Sequence, residues 1–211
     1  MKKSVKLRNL AYFIGISIFG VVAVILFGVV FSNFLSLFNF RNLQLQQILL
    51  TWTAMIMGLC VTPYLLVKIL YNPSITELGI GKIKKNELFG IILISFLTIV
   101  YLLLNRTNLN FFIFFVAIMQ NLGVAISEEF FSKGILFYIA KNITAMKMLA
   151  IVMCALVFAF FFHSGDLFIT NLTYRLPMGI ILGIIYFKTE NIYLPITLHI
   201  ANNLIATSIF K

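Results

Sequence analysis

Residues 111–140 read FFIFFVAIMQNLGVAISEEFFSKGILFYIA. The run is long enough to cross a membrane as a helix, since the hydrocarbon core needs about twenty apolar residues. Within it stand two adjacent carboxylates, Glu128 and Glu129, in a chain that has only six acidic residues. A carboxylate at membrane depth costs roughly 3 to over 10 kcal/mol, and an ionisable group placed there marks a functional site by default. The two histidines of the chain, His163 and His199, also lie in or at the edge of apolar runs.

The rest of the chain has the same character. It is 211 residues long, 62% hydrophobic and 10% charged, with a mean hydropathy of +1.06. A soluble domain is about one quarter charged. Apolar runs fall at 10–38, 48–71, 88–104, 111–140, 145–163, 176–187 and 194–210. These predict an all-α polytopic transmembrane bundle of about seven spans, with six to eight as the bounds. The sixth run is short by itself and either draws on 167–174 or spans only in part. The stretch 10–31 is too long for a signal-peptide core and is expected to be a retained first span. Residues 1–84 are expected to hold amino-terminal helices and a polar loop, and 85–211 a second bundle that carries the chemistry.

A net charge of +10 raises the possibility of nucleic acid, which the distribution of the charge excludes. Lys2, Lys3, Lys6, Arg8, Lys68, Lys82, Lys84, Lys85, Lys133, Lys141, Lys147 and Lys188 fall on one side of a seven-span topology. Arg41, Arg106, Arg175 and Lys211 fall on the other. That bias predicts a multi-pass protein of the plasma membrane with a cytoplasmic amino terminus and an external carboxyl terminus. Cys60 and Cys154 sit in different apolar runs, without CxxC spacing, and read as small buried hydrophobes. Residues 72–87 form the long polar stretch and read as a connecting loop at the cytoplasmic surface.

At 3.6 residues per turn, neighbouring helical positions point about 100° apart. Glu128 and Glu129 are therefore expected to do different things. Glu129 and Lys133, four apart, share a face and predict an ion pair. Glu128 shares a stripe with Asn121 and Ser132 and is the freer carboxylate, suited to a general base. The bland alternative for Glu128 is a bond to Asn121 or Asn171. His199 and Asn203 are also four apart and can reach one cavity, where an imidazole carries a proton and an amide donates to an oxyanion. At 1.5 Å of rise per residue, Glu128, His163, His199 and Asn203 all fall roughly 12–20 Å from the inner helix ends. This permits one shared site, expected to open to the cytoplasm. Asp166 and Arg175 read as solvated loop residues, with Arg175 a possible guard of the mouth. Trp52, Tyr186 and Tyr193 read as interfacial belts or packing.

Glu128-Glu129-Phe130-Phe131-Ser132-Lys133-Gly134 resembles the EExxxR-G motif of the CPBP family, the CAAX-protease and bacteriocin-processing membrane proteins, also called Abi. His163, closing Phe158-Ala159-Phe160-Phe161-Phe162, is similar to the family's FxxxH motif, and His199-Ile200-Ala201-Asn202-Asn203 to its HxxxN motif. Order and spacing agree, as does the Gly179–Gly183 helix between them. The resemblance runs over about residues 85–210. Three positions depart from it: Lys133 stands for arginine, Ser132 for an aromatic, and Ala159 for the phenylalanine four before the histidine, with Phe158 one position off.

The resemblance implies intramembrane peptide-bond hydrolysis. Glu128 would activate water, with Glu129 beside it and Lys133 in support. His163 would orient the water, and His199 with Asn203 would hold the oxyanion. No cofactor is expected. The alternative is a zinc held by Glu128, His163 and His199, although HExxH is absent and the ligands come from three helices. Expected partners are membrane lipids and a membrane-associated peptide or protein substrate, such as a leader peptide, bacteriocin precursor or pheromone, and not nucleic acid. A second class of function is a non-proteolytic protein of the same fold, giving bacteriocin self-immunity or partnering a kinase. A third is a proton-coupled transporter component, against which stands the lack of an inverted repeat.

Overall fold

A computed structural model describes residues 3–38, 42–105 and 111–209, with the last three described by their backbone alone. Lys2, Arg41, Arg106 and Lys211, which contribute to the charge pattern, lie outside the described residues. Among the described residues seven helices follow one another: α1 (Lys3–Ser36), α2 (Leu43–Tyr71), α3 (Lys85–Asn105), α4 (Phe111–Lys141), α5 (Lys147–Phe162), α6 (Phe168–Thr189) and α7 (Tyr193–Ile209). Five of them (α1, α2, α3, α4 and α6) are long and apolar enough to cross a membrane. The bundle is all-α, as the apolar runs predict. The sixth run does draw on the residues before it, giving one continuous helix from Phe168.

The helices run back and forth between two ends. One end carries Lys3, Lys6 and Arg8, the 72–84 loop, Lys141, Lys147 and Lys188. Side chains stitch this lysine-rich end together. Asn9 Nδ2 donates to Asn142 O at 2.8 Å, and Tyr71 Oη donates to Asn9 Oδ1 at 3.0 Å. Asn191 Nδ2 donates to Glu87 Oε2 at 3.3 Å, joining the α6–α7 turn to α3. Lys133, expected at this end, is instead buried in the interior with its side chain 1% exposed.

Four segments wind as π-helix: Ile56–Val61 in α2, Phe130–Leu136 in α4, Phe158–Phe162 in α5 and Asn171–Arg175 in α6. Two of them come just before a proline, Pro63 and Pro177. Proline lacks the N–H that the i−4 carbonyl needs and clashes with that carbonyl, and an i→i−5 turn beforehand absorbs the misfit.

Glycines allow the closest helix approaches. A Cβ on Gly183 would lie 2.8 Å from the Ile151 side chain, and one on Gly179 would lie 3.2 Å from Ala155 Cβ, so these glycines let α5 and α6 pack closely. Without a hydrophobic drive inside lipid, such close packing holds helices together. Trp52 is a packing residue: its indole N–H donates to Met119 O at 2.8 Å, across Gly123.

The 72–84 loop is more than a connection. Ser74 donates its backbone N–H and its hydroxyl to Glu77 Oε2, at 2.7 and 2.8 Å. These two bonds hold the Glu77 carboxyl below its usual range. Gly79 turns the chain at φ +83° and accepts from the Ile192 N–H at 3.0 Å. Between them Leu78 is driven fully into the core. Its carbonyl oxygen would lie 2.8 Å from a Cβ on Gly134. The glycine after Lys133 is thus where this loop's backbone meets α4.

Candidate functional site

Glu128 and Glu129 sit at mid-length of α4, on the turn that leads into the Phe130–Leu136 π segment. Both are buried. The expectation that they face different ways is only half met, because both reach the same imidazole. Glu129 Oε1 lies 2.9 Å from His199 Nδ1, and Glu128 Oε2 lies 3.6 Å from His199 Nε2. The two carboxylates straddle the ring that α7 inserts between them, so a separation of about 100° along α4 becomes the two sides of one histidine.

The predicted pair of Glu129 and Lys133 forms, with Nζ 3.6 Å from Oε2. Lys133 also donates to Ser132 Oγ at 2.8 Å and lies 5.4 Å from the centre of the Phe158 ring. Two departures from the motif are therefore linked: the small hydroxyl at 132 gives the ammonium at 133 an acceptor that an aromatic would not. Ser132 engages Lys133 and not the Glu128 stripe. Asn121 bonds its own helix at Ala117 O, so it does not satisfy Glu128.

His163 ends α5. Its Nε2 is 4.0 Å from Glu128 Oε2, so Glu128 faces both histidines through one oxygen. That oxygen and His163 Nε2 are buried, and neither has a hydrogen-bond partner among the described residues. Phe158 packs edge-on against both imidazoles, with ring centres 5.1 Å from His163 and 5.7 Å from His199. The one-position offset of this phenylalanine has a cause. The segment between Phe158 and His163 is π-helical, and i→i−5 winding places residues five apart on one face.

On its other side His163 meets residues that read as solvated in the sequence. Asp166 Oδ2 lies 3.7 Å from His163 Nδ1 and accepts from Arg175 Nη2 at 3.0 Å. Asn171 Nδ2 donates to the His163 carbonyl at 2.8 Å, which rules out Asn171 as the bland partner of Glu128. The spacing His163-x-x-Asp166 in a turn was the signal available for this contact. Asn203 lies one turn beyond His199 on the same side of α7 and is half-buried. Beside it, Tyr174 Oη donates to Asn202 Oδ1 at 2.8 Å, tying α6 to α7.

Toward the lysine-rich end the site is closed. Ile135, Leu136, Ile139 and Ala140 are fully buried beneath it, and Leu78 caps them. Among the described residues no opening is seen on that side, where the depths of the four groups lead one to expect it. A recess of about 260 Å³ reaches Glu128 from the side, between α1 (Val21, Val24, Ile25), α2 (Met55, Leu59), Phe161 and Phe162 at the end of α5, and Ser164 in the turn after it. The carbons exposed there would face lipid.

Among the described residues no group of three His, Cys, Asp or Glu side chains is placed to hold a metal ion. The 3.6 and 4.0 Å separations exceed the roughly 3.3 Å kept by two ligands at about 2.0–2.1 Å from a tetrahedral zinc. Glu128, His163 and His199 thus stand somewhat wider apart than a bound zinc would hold them.

No curated protein and no solved structure matches the chain. Residues 109–205 match the family model described as Rce1-like, type II CAAX prenyl endopeptidase Rce1-like. The matched stretch, a little under half of the chain, holds Glu128, Glu129, Lys133, His163, His199 and Asn203, and over it the chain is similar to the family that its motifs resemble.

Proposed function

We propose that this protein is an intramembrane endopeptidase that uses a glutamate-activated water and no metal. One observation carries the reading. Glu128 Oε2 lies 4.0 Å from His163 Nε2 and 3.6 Å from His199 Nε2. Both separations leave room for an oxygen about 2.8 Å from Glu128 Oε2 and from the facing imidazole nitrogen. Glu128 takes a proton from that water as its oxygen bonds to the carbonyl carbon of the substrate. His163 Nε2 accepts the second water hydrogen and holds the water in line. His199 stands between two carboxylates. An N–H on each ring nitrogen gives Glu129 its donor and leaves Nε2–H for the oxyanion, with the Asn203 amide as the second donor. With His199 so protonated, two carboxylates are matched by His199 and Lys133, and the buried cluster is neutral. The C–N bond then breaks, and the proton held by Glu128 passes to the leaving nitrogen.

The substrate class that suits the recess is a membrane-associated peptide or protein whose scissile bond arrives from the lipid side. Leader peptides, bacteriocin precursors and peptide pheromones belong to this class. The test compares membrane-proteome peptides between the wild-type protein and Glu128→Gln, which keeps the shape and removes the base. Peptides present only with the wild type support the proposal, and identical peptide sets reject it. An intact cellular phenotype with both Glu128→Gln and His199→Ala would favour the non-proteolytic reading instead. Cleavage is expected to survive a zinc chelator, and loss of activity restored by zinc would restore the metal alternative.

A further inference from the structure

Two ring nitrogens of His163 face two carboxylates, Asp166 on the Nδ1 side at 3.7 Å and Glu128 on the Nε2 side at 4.0 Å. A neutral imidazole has one N–H, so only one of these sides can receive it. Nothing in the CPBP-like motifs singles out Asp166. Its surroundings are nonetheless built. Its backbone N–H donates to the His163 carbonyl at 3.0 Å, closing the turn. Its Oδ2 accepts from Arg175 at 3.0 Å, and Asn171, one turn before Arg175 on α6, donates to the same His163 carbonyl at 2.8 Å. Two anchors on α6 and one turn hydrogen bond fix the relation of Asp166 to the ring. A histidine's working tautomer is set by what its other nitrogen bonds.

We infer that Asp166, held by Arg175, is a positioning residue that keeps the His163 proton on Nδ1 and leaves the Nε2 lone pair facing Glu128. With the proton on Nε2, His163 would donate to Glu128 and compete with the water for the same carboxylate oxygen. With it on Nδ1, the nitrogen that meets the water is an acceptor. The same division is seen where a carboxylate orients the base histidine of a hydrolase. Arg175 matches the charge of Asp166 and fixes its rotamer, so the carboxylate stays beside the ring in a turn that is partly exposed. The inference rests on the water-activation reading, but its test does not depend on cleavage.

The chain has only two histidines, so the protein labelled with ¹⁵N-histidine in detergent micelles gives two sets of ring signals. His163→Gln assigns them. The expected result is one protonated and one bare nitrogen for His163, with the proton on Nδ1. Asp166→Ala should move the His163 proton to Nε2 in half or more of the molecules while leaving the His199 signals in place. Asp166→Asn keeps an acceptor oxygen and should restore the wild-type pattern. A wild-type His163 protonated on Nε2, or one unchanged by Asp166→Ala, would overturn the inference. So would loss of the His199 pattern in both variants, which would make Asp166 a residue of the fold alone. If the tautomer behaves as expected and no substrate is cleaved, the positioning role stands and the peptidase proposal fails.

Discussion

At the scale of single residues, the buried cluster is held by matched charge, so removing one member exposes the others. Lys133→Met would leave Glu129 ionised, fully buried and facing only His199. Breaking a buried pair in this way costs about 3–5 kcal/mol, and a marked fall in thermal unfolding temperature in detergent is expected. Ser132→Ala removes only the acceptor of one ammonium proton. Leaving a buried donor unpaired costs about 1–3 kcal/mol, so the same measurement should show a smaller fall. Equal stability of both variants with the wild type would mean that the pair is hydrated in the membrane. Glu128, Glu129, His163 and His199 were legible in the sequence because charge inside an apolar run has few explanations. Asp166 was not, because an acid in a short turn next to an arginine reads as two solvated groups. Only the fold brings α6 back to lay Arg175 and Asn171 against the end of α5. The lysine count at the inner side erred for a related reason. Lys133 is close to Lys141 in sequence, but two buried turns of α4 separate it from the helix end.

At the scale of elements, the π segments explain where helical spacing misleads. An apolar run shows its period only to within a residue, and one extra residue in a turn leaves the run just as apolar. The phenylalanine beside His163 therefore looked displaced when it was in place. The π segment of α4 has a second consequence, because it presents Gly134 to the Leu78 carbonyl at a distance that admits no side chain. Gly134→Ala must push the 72–84 loop outward, since its neighbour there is backbone and not a flexible side chain. Leu78 then leaves the core. Trypsin is expected to cut at Lys82, Lys84 or Lys85 at least several times faster in the variant than in the wild-type protein, with α1 to α7 still folded by circular dichroism. Unchanged digestion would mean that the loop does not seal the site on that side. A polar stretch with Pro73, Gly79 and Gly81 reads as a linker, and nothing in that pattern marks its single leucine as a core residue.

At the scale of the whole molecule, the ends of the bundle decide which compartment the site serves. At 1.5 Å per residue, α5 is about 24 Å long, short of the roughly 30 Å hydrocarbon core. His163 thus stops below the far surface, and the 163–167 turn lies over the site in place of a final helical turn. The lysine-rich end is sealed by packed side chains and by Leu78, so any polar access is from the side of that turn. Charge predicts that the lysine-rich end is cytoplasmic, and removing Lys133 from the count leaves that bias in place. With that orientation, the turn beside the site is expected to be reached from outside the cell. Single cysteines test this in a background without Cys60 and Cys154. Gly165 is an open position with nothing within 4 Å of an added Cβ, and Ser74 is exposed at the other end. A membrane-impermeant maleimide should label Gly165→Cys in intact cells and Ser74→Cys only after permeabilisation. The reverse pattern would place the turn in the cytoplasm and move the expected substrates to that side. Labelling of both in intact cells would mean that the chain lacks one fixed orientation, and a one-sided site could not then work in every copy.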